Sequence, residues 1–238
     1  MKYLLGTSKI ILKDMRLNML IFWTILISTS LASLIITASF KIPQMYMFTN
    51  LPTCIYLSII GAILFRSSFP YTLSFGSTRK QFIVSLGLIG LFLVFLNASI
   101  NFGVFYSLEA IANYFELPIH YFSLANTLTN PSLLSLWLVD FIVTLFLFCG
   151  SLVISLIHYR YGGHSLLLMA GAAFIVMLLP PVQDWFVGTL LPSFSGSSGL
   201  LSYSGLALAA VLLFGVAALL MRNIPVLPRS NKNAYPIA

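Results

Sequence analysis

The chain has 238 residues, of which 59% are hydrophobic and 7% charged, with a formal net charge of +7 and a mean hydropathy of +1.00. Soluble domains carry roughly 25% charged residues, so this composition excludes a soluble fold and points to an all-α, polytopic membrane protein. The alternating segments of a transmembrane barrel are missing. The basic residues stand at the ends of apolar runs with no RNA- or DNA-binding motif, so nucleic acid is not an expected partner.

The first sixteen residues come before the first apolar run. At 100° per residue, Lys2, Lys9, Lys13 and Arg16 fall within roughly 60° on a helix, with Leu4, Ile11 and Met15 opposite. This is the pattern of an amphipathic helix lying on an anionic bilayer surface, or of a basic flank that happens to be periodic. Six apolar spans then follow at about Leu17–Phe40, Met45–Phe65, Arg79–Tyr106, Leu133–Ile157, Ser165–Leu179 and Ser202–Met221. A crossing takes about 20 residues. The fifth span is short and ends at Pro180-Pro181. The first is too long for a signal-peptide core and is expected to stay as an anchor. Residues 222–238 form a tail, and the whole of 1–238 reads as a single membrane domain.

Lysine and arginine set the orientation. One side holds eleven: Lys2, Lys9, Lys13, Arg16, Arg66, Arg79, Lys80, Arg160, Arg222, Arg229 and Lys232; the other holds Lys41 alone, with Glu109, Glu116 and Asp184. Both termini are therefore expected in the cytoplasm of a cell-membrane protein.

The connector after the second span, Phe69–Phe82 (FPYTLSFGSTRKQF), is more elaborate than a linker requires. Ser67 and Ser68 are candidate caps, Pro70 suits a first helical turn and Gly76 suits a helix exit, giving a short helix of about two turns. Phe69 with Leu73 and Tyr71 with Phe75 are i,i+4 pairs. Thr78 and Gln81 form a capping box that restarts the third span.

Farther along, Leu108, Ile111, Ala112 and Phe115 have helical spacing, which predicts a short outer interfacial helix before Pro118. Asp140 is the one acidic residue placed inside a span, about 10 Å from its outer boundary. A buried charge there is a functional-site candidate, with Asn97 and Asn101 as its expected neighbours; hydrogen bonding between helices is the structural alternative. Thr29, Ser30, Ser33 and Thr37 share an arc of the first span, a pattern more common at helix-packing faces than along solute paths. Pro180–Leu201 is apolar but flanked by prolines, as in a re-entrant or surface-lying hairpin.

Cys54 and Cys149 lie in apolar spans and imply neither a disulfide nor a metal site. His158 and His164 flank a turn but lack further ligands, so no metal is expected. Gly196–Gly199 matches the G-x-S-G of rhomboid-type proteases, yet no histidine follows it to act as base. No phosphate loop occurs. The chain is expected to be non-catalytic.

FPYTLSFGSTRKQF resembles the loop between the second and third spans in permease subunits of ATP-binding-cassette exporters of the second type. It is especially similar to a group of small six-span bacterial permeases with a phenylalanine-proline followed by a glycine and a threonine-arginine pair. His158–Gly163 (HYRYGG) and Met221–Val226 (MRNIPV) are similar to that group's inner loop after the fourth span and its close of the sixth.

The resemblance implies that Phe69, Pro70, Tyr71, Thr72, Leu73, Ser74, Phe75, Gly76, Thr78 and Arg79 form a coupling helix docking on a separate ATPase subunit, which would carry ATP and Mg. It also implies an N-terminal interface helix, an outer re-entrant hairpin, and a second permease copy, identical or paralogous. The coupling segment has no acidic residue, so a charged contact would fall to Arg79 or Lys80. Transport of an amphipathic solute, peptide or lipid is the expectation from this resemblance. A non-transporting six-span sensor, immunity or assembly factor is the alternative.

Overall fold

The computed structural model describes residues 2–40, 44–123, 132–162, 164–168, 171, 179–181, 201–222 and 224, with the side chains of α1 described from Met15 onward. Most of the expected fifth span, the Pro180–Leu201 hairpin and the tail beyond Ile224 lie outside the described residues.

The described chain is predominantly helical. α1 spans Lys2–Phe40, α2 Asn50–Ser74, α3 Arg79–Tyr114, α4 Leu133–Tyr161 and α5 Leu201–Arg222. Two four-residue strands, β1 (Met45–Phe48) and β2 (Ile119–Phe122), complete it. Among the described residues, five helical stretches are long and apolar enough to cross a membrane: Met15–Phe40, Asn50–Ser74, Arg79–Tyr114, Leu133–Tyr161 and Tyr203–Arg222. Large apolar side chains such as Ile25 and Ile35 of α1, Leu88 and Phe95 of α3 and Leu212 of α5 face outward, as a bilayer-embedded bundle requires.

Four expectations change. The first sixteen residues are not separated from the first span: α1 is one helix of 39 residues, because its sequence holds no proline and only a lone Gly6. Met45 does not open the second span, since Met45–Phe48 is a strand and α2 begins at Asn50. The predicted outer helix around Leu108–Phe115 is the last part of α3, which at 36 residues runs about 54 Å, well beyond the ~30 Å hydrocarbon layer. The short helix expected at Phe69 is the end of α2 itself. Ser67 bonds to the Ile63 carbonyl and Thr72 to the Ser68 carbonyl, so the helix passes through both serines and through Pro70. An interior proline costs about 3 kcal/mol; burial of Phe65, Phe69 and Thr72 on this stretch offsets it.

β1 and β2 pair in parallel, Met45 with Ile119 through Phe48 with Phe122. Parallel neighbours need a long crossover, and here the helical hairpin α2–α3 supplies it. Ile119 and Tyr121 pack with Leu34, Phe105, Leu108 and Ala112, while Tyr46 and His120 lie outward with ring centroids 5.5 Å apart.

The main core lies where α2 and α4 pack most extensively, followed by α4 with α5. Gly61 of α2 makes that approach close: a Cβ there would stand 2.5 Å from Ser151 Oγ and 2.9 Å from the Phe148 carbonyl oxygen. Small residues let transmembrane backbones approach in this way. Gly90 of α3 similarly seats the Phe148 ring.

Candidate functional site

Two regions at opposite ends of α2 hold the singled-out residues. At one end, α2 turns into α3. Gly76 has φ +82°, and the amides of Gly76 and Ser77 bond to the carbonyls of Leu73 and Thr72. That is a Schellman closure, with glycine at the left-handed position. Thr78 Oγ1 then accepts from the Gln81 amide, and Gln81 Oε1 accepts from the Thr78 amide, so the predicted capping box is formed. Only Ser77 and Thr78 separate this closure from the restart.

The ten candidate docking residues divide by face. Phe69 is fully buried and Thr72 nearly so, which corrects their reading as surface contacts. Phe69 packs against Phe65 and Phe82 at centroid distances of 5.0 and 5.3 Å and against Tyr159 of α4 at 6.1 Å. The turn is thereby wedded to the core. On the other face Tyr71 and Phe75 are 51% and 58% exposed and meet edge-to-face at 4.8 Å. Ser74, Gly76 and Thr78 are exposed beside them, and Pro70, Leu73 and Arg79 are half-buried. Arg79 reaches across to the end of α5, donating to the Arg222 carbonyl at 2.6 Å. Arg66 and Lys80 are exposed and Arg160 half-buried near the same end of the bundle, so it is basic. Arg16, also exposed, belongs to the start of the first span; the side chains of Lys2, Lys9 and Lys13 lie outside the described residues.

At the far end of α2 lies a buried polar junction. Asn50 donates through Nδ2 to Asp140 Oδ1 and, at 3.3 Å, to Ser123 Oγ. Asn101 Nδ2 donates to Asp140 Oδ2 at 2.8 Å and to Asn50 Oδ1 at 2.9 Å. Thr49 Oγ1 donates to Asn50 Oδ1 at 3.3 Å. Three helices thus meet on one carboxylate. Helical rise puts Asn50, Asp140 and Asn101 about 24, 30 and 33 Å from Arg66, Arg160 and Arg79 along their own helices. The junction therefore lies toward the far side of a ~30 Å slab measured from the basic end.

Asn101 was the expected neighbour of Asp140 and is its partner. Asn97 is not: it stands one turn lower on α3, buried, with its Oδ1 unpartnered. Sequence reasoning missed Asn50, although an asparagine within an apolar run is the same signal that singled out Asn97 and Asn101. One turn below Asn50 and Asp140, Cys54 Sγ and Thr144 Oγ1 meet at 3.5 Å. Polar residues therefore occupy two successive turns on each of three helices. Beneath them Leu57, Leu93 and Phe148 are all buried and form an apolar floor.

The polar arc of α1 behaves as a packing face. Ser30, Ser33 and Thr37 are buried and bond to carbonyls of their own helix, and Thr37 also meets Met45 Sδ at 3.1 Å. Thr29 of the same arc is exposed. No group of three or more His, Cys, Asp or Glu side chains able to hold a metal occurs among the described residues.

Fold and site together define a helical, multi-pass membrane protein with a basic end bearing an exposed aromatic turn and an opposite end bearing a buried carboxylate. No protein-family model, curated protein or solved structure matches the chain.

Proposed function

We propose that this chain is the membrane subunit of an ATP-driven exporter of the second ATP-binding-cassette type. It would sit in a bacterial cytoplasmic membrane with six spans and both termini in the cytoplasm, and act as a pair with a like or paralogous permease. Separate ATPase subunits would bind ATP and Mg, and this chain would do no covalent chemistry. One observation carries the reading. Tyr71 and Phe75 stand exposed on a turn that is closed on both sides by caps and held from behind by Phe69 in the aromatic core.

A docking surface for a moving partner must be both accessible and stiff. This turn is both, and α2 continues from it without a break to Asn50. A push on Tyr71 and Phe75 would displace the far end of α2, where Asn50 contacts α3 and α4. The polar column ends on the apolar floor of Leu57, Leu93 and Phe148, so a solute path would run between two copies rather than through one. The solute fitting an apolar, charge-poor surface is amphipathic: a peptide or a lipid. That same floor is what favours the second reading, a non-transporting sensor, immunity or assembly factor.

The experiment is a search of the neighbouring reading frames for a phosphate-loop ATPase and co-purification with any that is found, followed by ATP hydrolysis in lipid vesicles. Intact protein should bind and stimulate the ATPase. The Tyr71→Ala/Phe75→Ala variant should fold normally and bind at least tenfold more weakly. Equal binding by both proteins would defeat the docking assignment, and no binding by either would favour the second reading.

A further inference from the structure

Asp140 is 7% exposed, and among the described residues its carboxylate has amide donors but no basic partner: its hydrogen bonds come from Asn50 and Asn101. From Leu17 to Phe40, Asn50 to Phe65, Gln81 to Tyr114, Leu133 to Tyr159 and Leu201 to Met221 there is no lysine or arginine. On the described helices the nearest basic residues, Arg16, Arg66, Lys80, Arg160 and Arg222, stand toward the basic end; Lys41, just past the other end of α1, lies outside the described residues. A buried charge left without compensation is strongly destabilising, and an intramembrane carboxylate is by default a site looking for its partner.

Two buried oxygens on α3, one on the residue that bonds Asp140 and one a turn lower, are also unused. Asn101 and Asn97 are 2% and 1% exposed, and the Oδ1 of each has no hydrogen-bond partner. The two asparagines are four residues apart on α3 and so share a face. Thr144 on α4 adds a hydroxyl at the lower level, one turn from Asp140. Buried acceptors of this kind are rare and call for an explanation.

We propose that this junction binds one sodium ion, held by Asp140 and by the Oδ1 atoms of Asn97 and Asn101. The donor set chooses the cation. All three ligands are hard oxygens, which excludes metals that favour thiolate or imidazole. A single carboxylate balances one positive charge. Calcium takes six to eight oxygens, commonly with several carboxylates, and magnesium keeps several waters in a near-ideal octahedron. The apolar floor closes the site on the inner side, so the ion would enter from the outer end, past Thr49 and Ser123. Binding would tie α2, α3 and α4 together at the end of α2 remote from the aromatic turn. The inference is independent of the exporter reading, since the chain alone would bind the ion.

The test is thermal unfolding of the purified full chain in lipid nanodiscs, in sodium, potassium or choline chloride at equal ionic strength. A ligand that binds only the folded state raises the midpoint by mass action. Sodium should raise it saturably by several degrees over choline, with potassium at least tenfold less effective. Asp140→Asn should abolish the sodium response. Asn97→Ala, should the first variant not fold, should weaken the sodium response at least tenfold, read as the shift from that variant's own choline midpoint. Identical midpoints for the intact chain in sodium and choline would overturn the proposal, as they would mean that a proton or water satisfies the site. An undiminished sodium response in Asn97→Ala, or an equal response to potassium, would overturn it as well.

Discussion

The two ends of α2 are polar in opposite ways. At the Gly76 end the features that shape the turn are local: a Schellman closure, a capping box, and an aromatic pair four residues apart. At the Asn50 end the bonds that join the helices are long-range, linking residues 39, 51 and 90 positions apart in sequence. The first end is rigid through its own hydrogen bonds and a packed aromatic back; the second is held by one carboxylate shared among helices. A rod fixed locally at one end and through a shared group at the other is suited to carrying a displacement from the first to the second.

The largest effect should separate the back of the turn from its front. Phe69 is fully buried among Phe65, Phe82 and Tyr159, so Phe69→Ala should cost about 3–5 kcal/mol by the loss of a packed aromatic. Tyr71→Ala, on the exposed face two residues away, should stay within about 0.5 kcal/mol. Thermal unfolding in detergent compares them; equal losses would mean that the turn has no distinct core and surface sides.

Next in size is the mid-rod contact. Gly61→Ala would drive a methyl group into Ser151 Oγ and the Phe148 carbonyl, and backbone cannot yield as a flexible side chain does. Such overpacking costs about 1–3 kcal/mol. Gly150 of α4 faces open space, so Gly150→Ala should be neutral or gain up to about 1 kcal/mol from helix propensity. If the two variants unfold at the same temperature, α2 does not lean on α4 as closely as described.

The contrast between the ends also explains what was legible in the sequence. Gly76, Thr78 and Gln81 were readable because capping chemistry acts over three or four residues and leaves its donors and acceptors in plain order. Pro70 misled for the same reason: the local rule favours proline at a helix start, and only burial of Phe65 and Phe69 lets the helix run through it. The helical, multi-pass class followed from apolar length alone. The strands did not, because four residues such as Met45–Phe48 are too few for a period to show and derive their pairing from Ile119–Phe122, far along the chain. Asp140 stood out as a charge in a span, and Asn101 as a neighbour at matching depth. Asn50 carried the same signal as Asn101, but its pairing with Asp140 needed the register of α2 against α4, which tertiary packing alone sets.

The smallest effect tests a pair of helix ends built alike from different residues. α3 closes as α2 does: the amides of Glu116 and Leu117 bond to the carbonyls of Asn113 and Ala112, and Glu116 takes the left-handed position with φ 49°. A left-handed conformation costs an L-residue roughly 1–2 kcal/mol that glycine escapes. Against this, glycine has more freedom to lose on folding, worth about 0.4–1 kcal/mol. The balance makes Gly76→Ala destabilising and Glu116→Gly stabilising, each by about 0.5–1 kcal/mol. No heavy atom lies within 4 Å of a Cβ built on Gly76, so steric crowding does not confuse its value. The two midpoints should therefore move in opposite directions by similar amounts. Both variants moving the same way would show that backbone conformation is not what the two closures have in common.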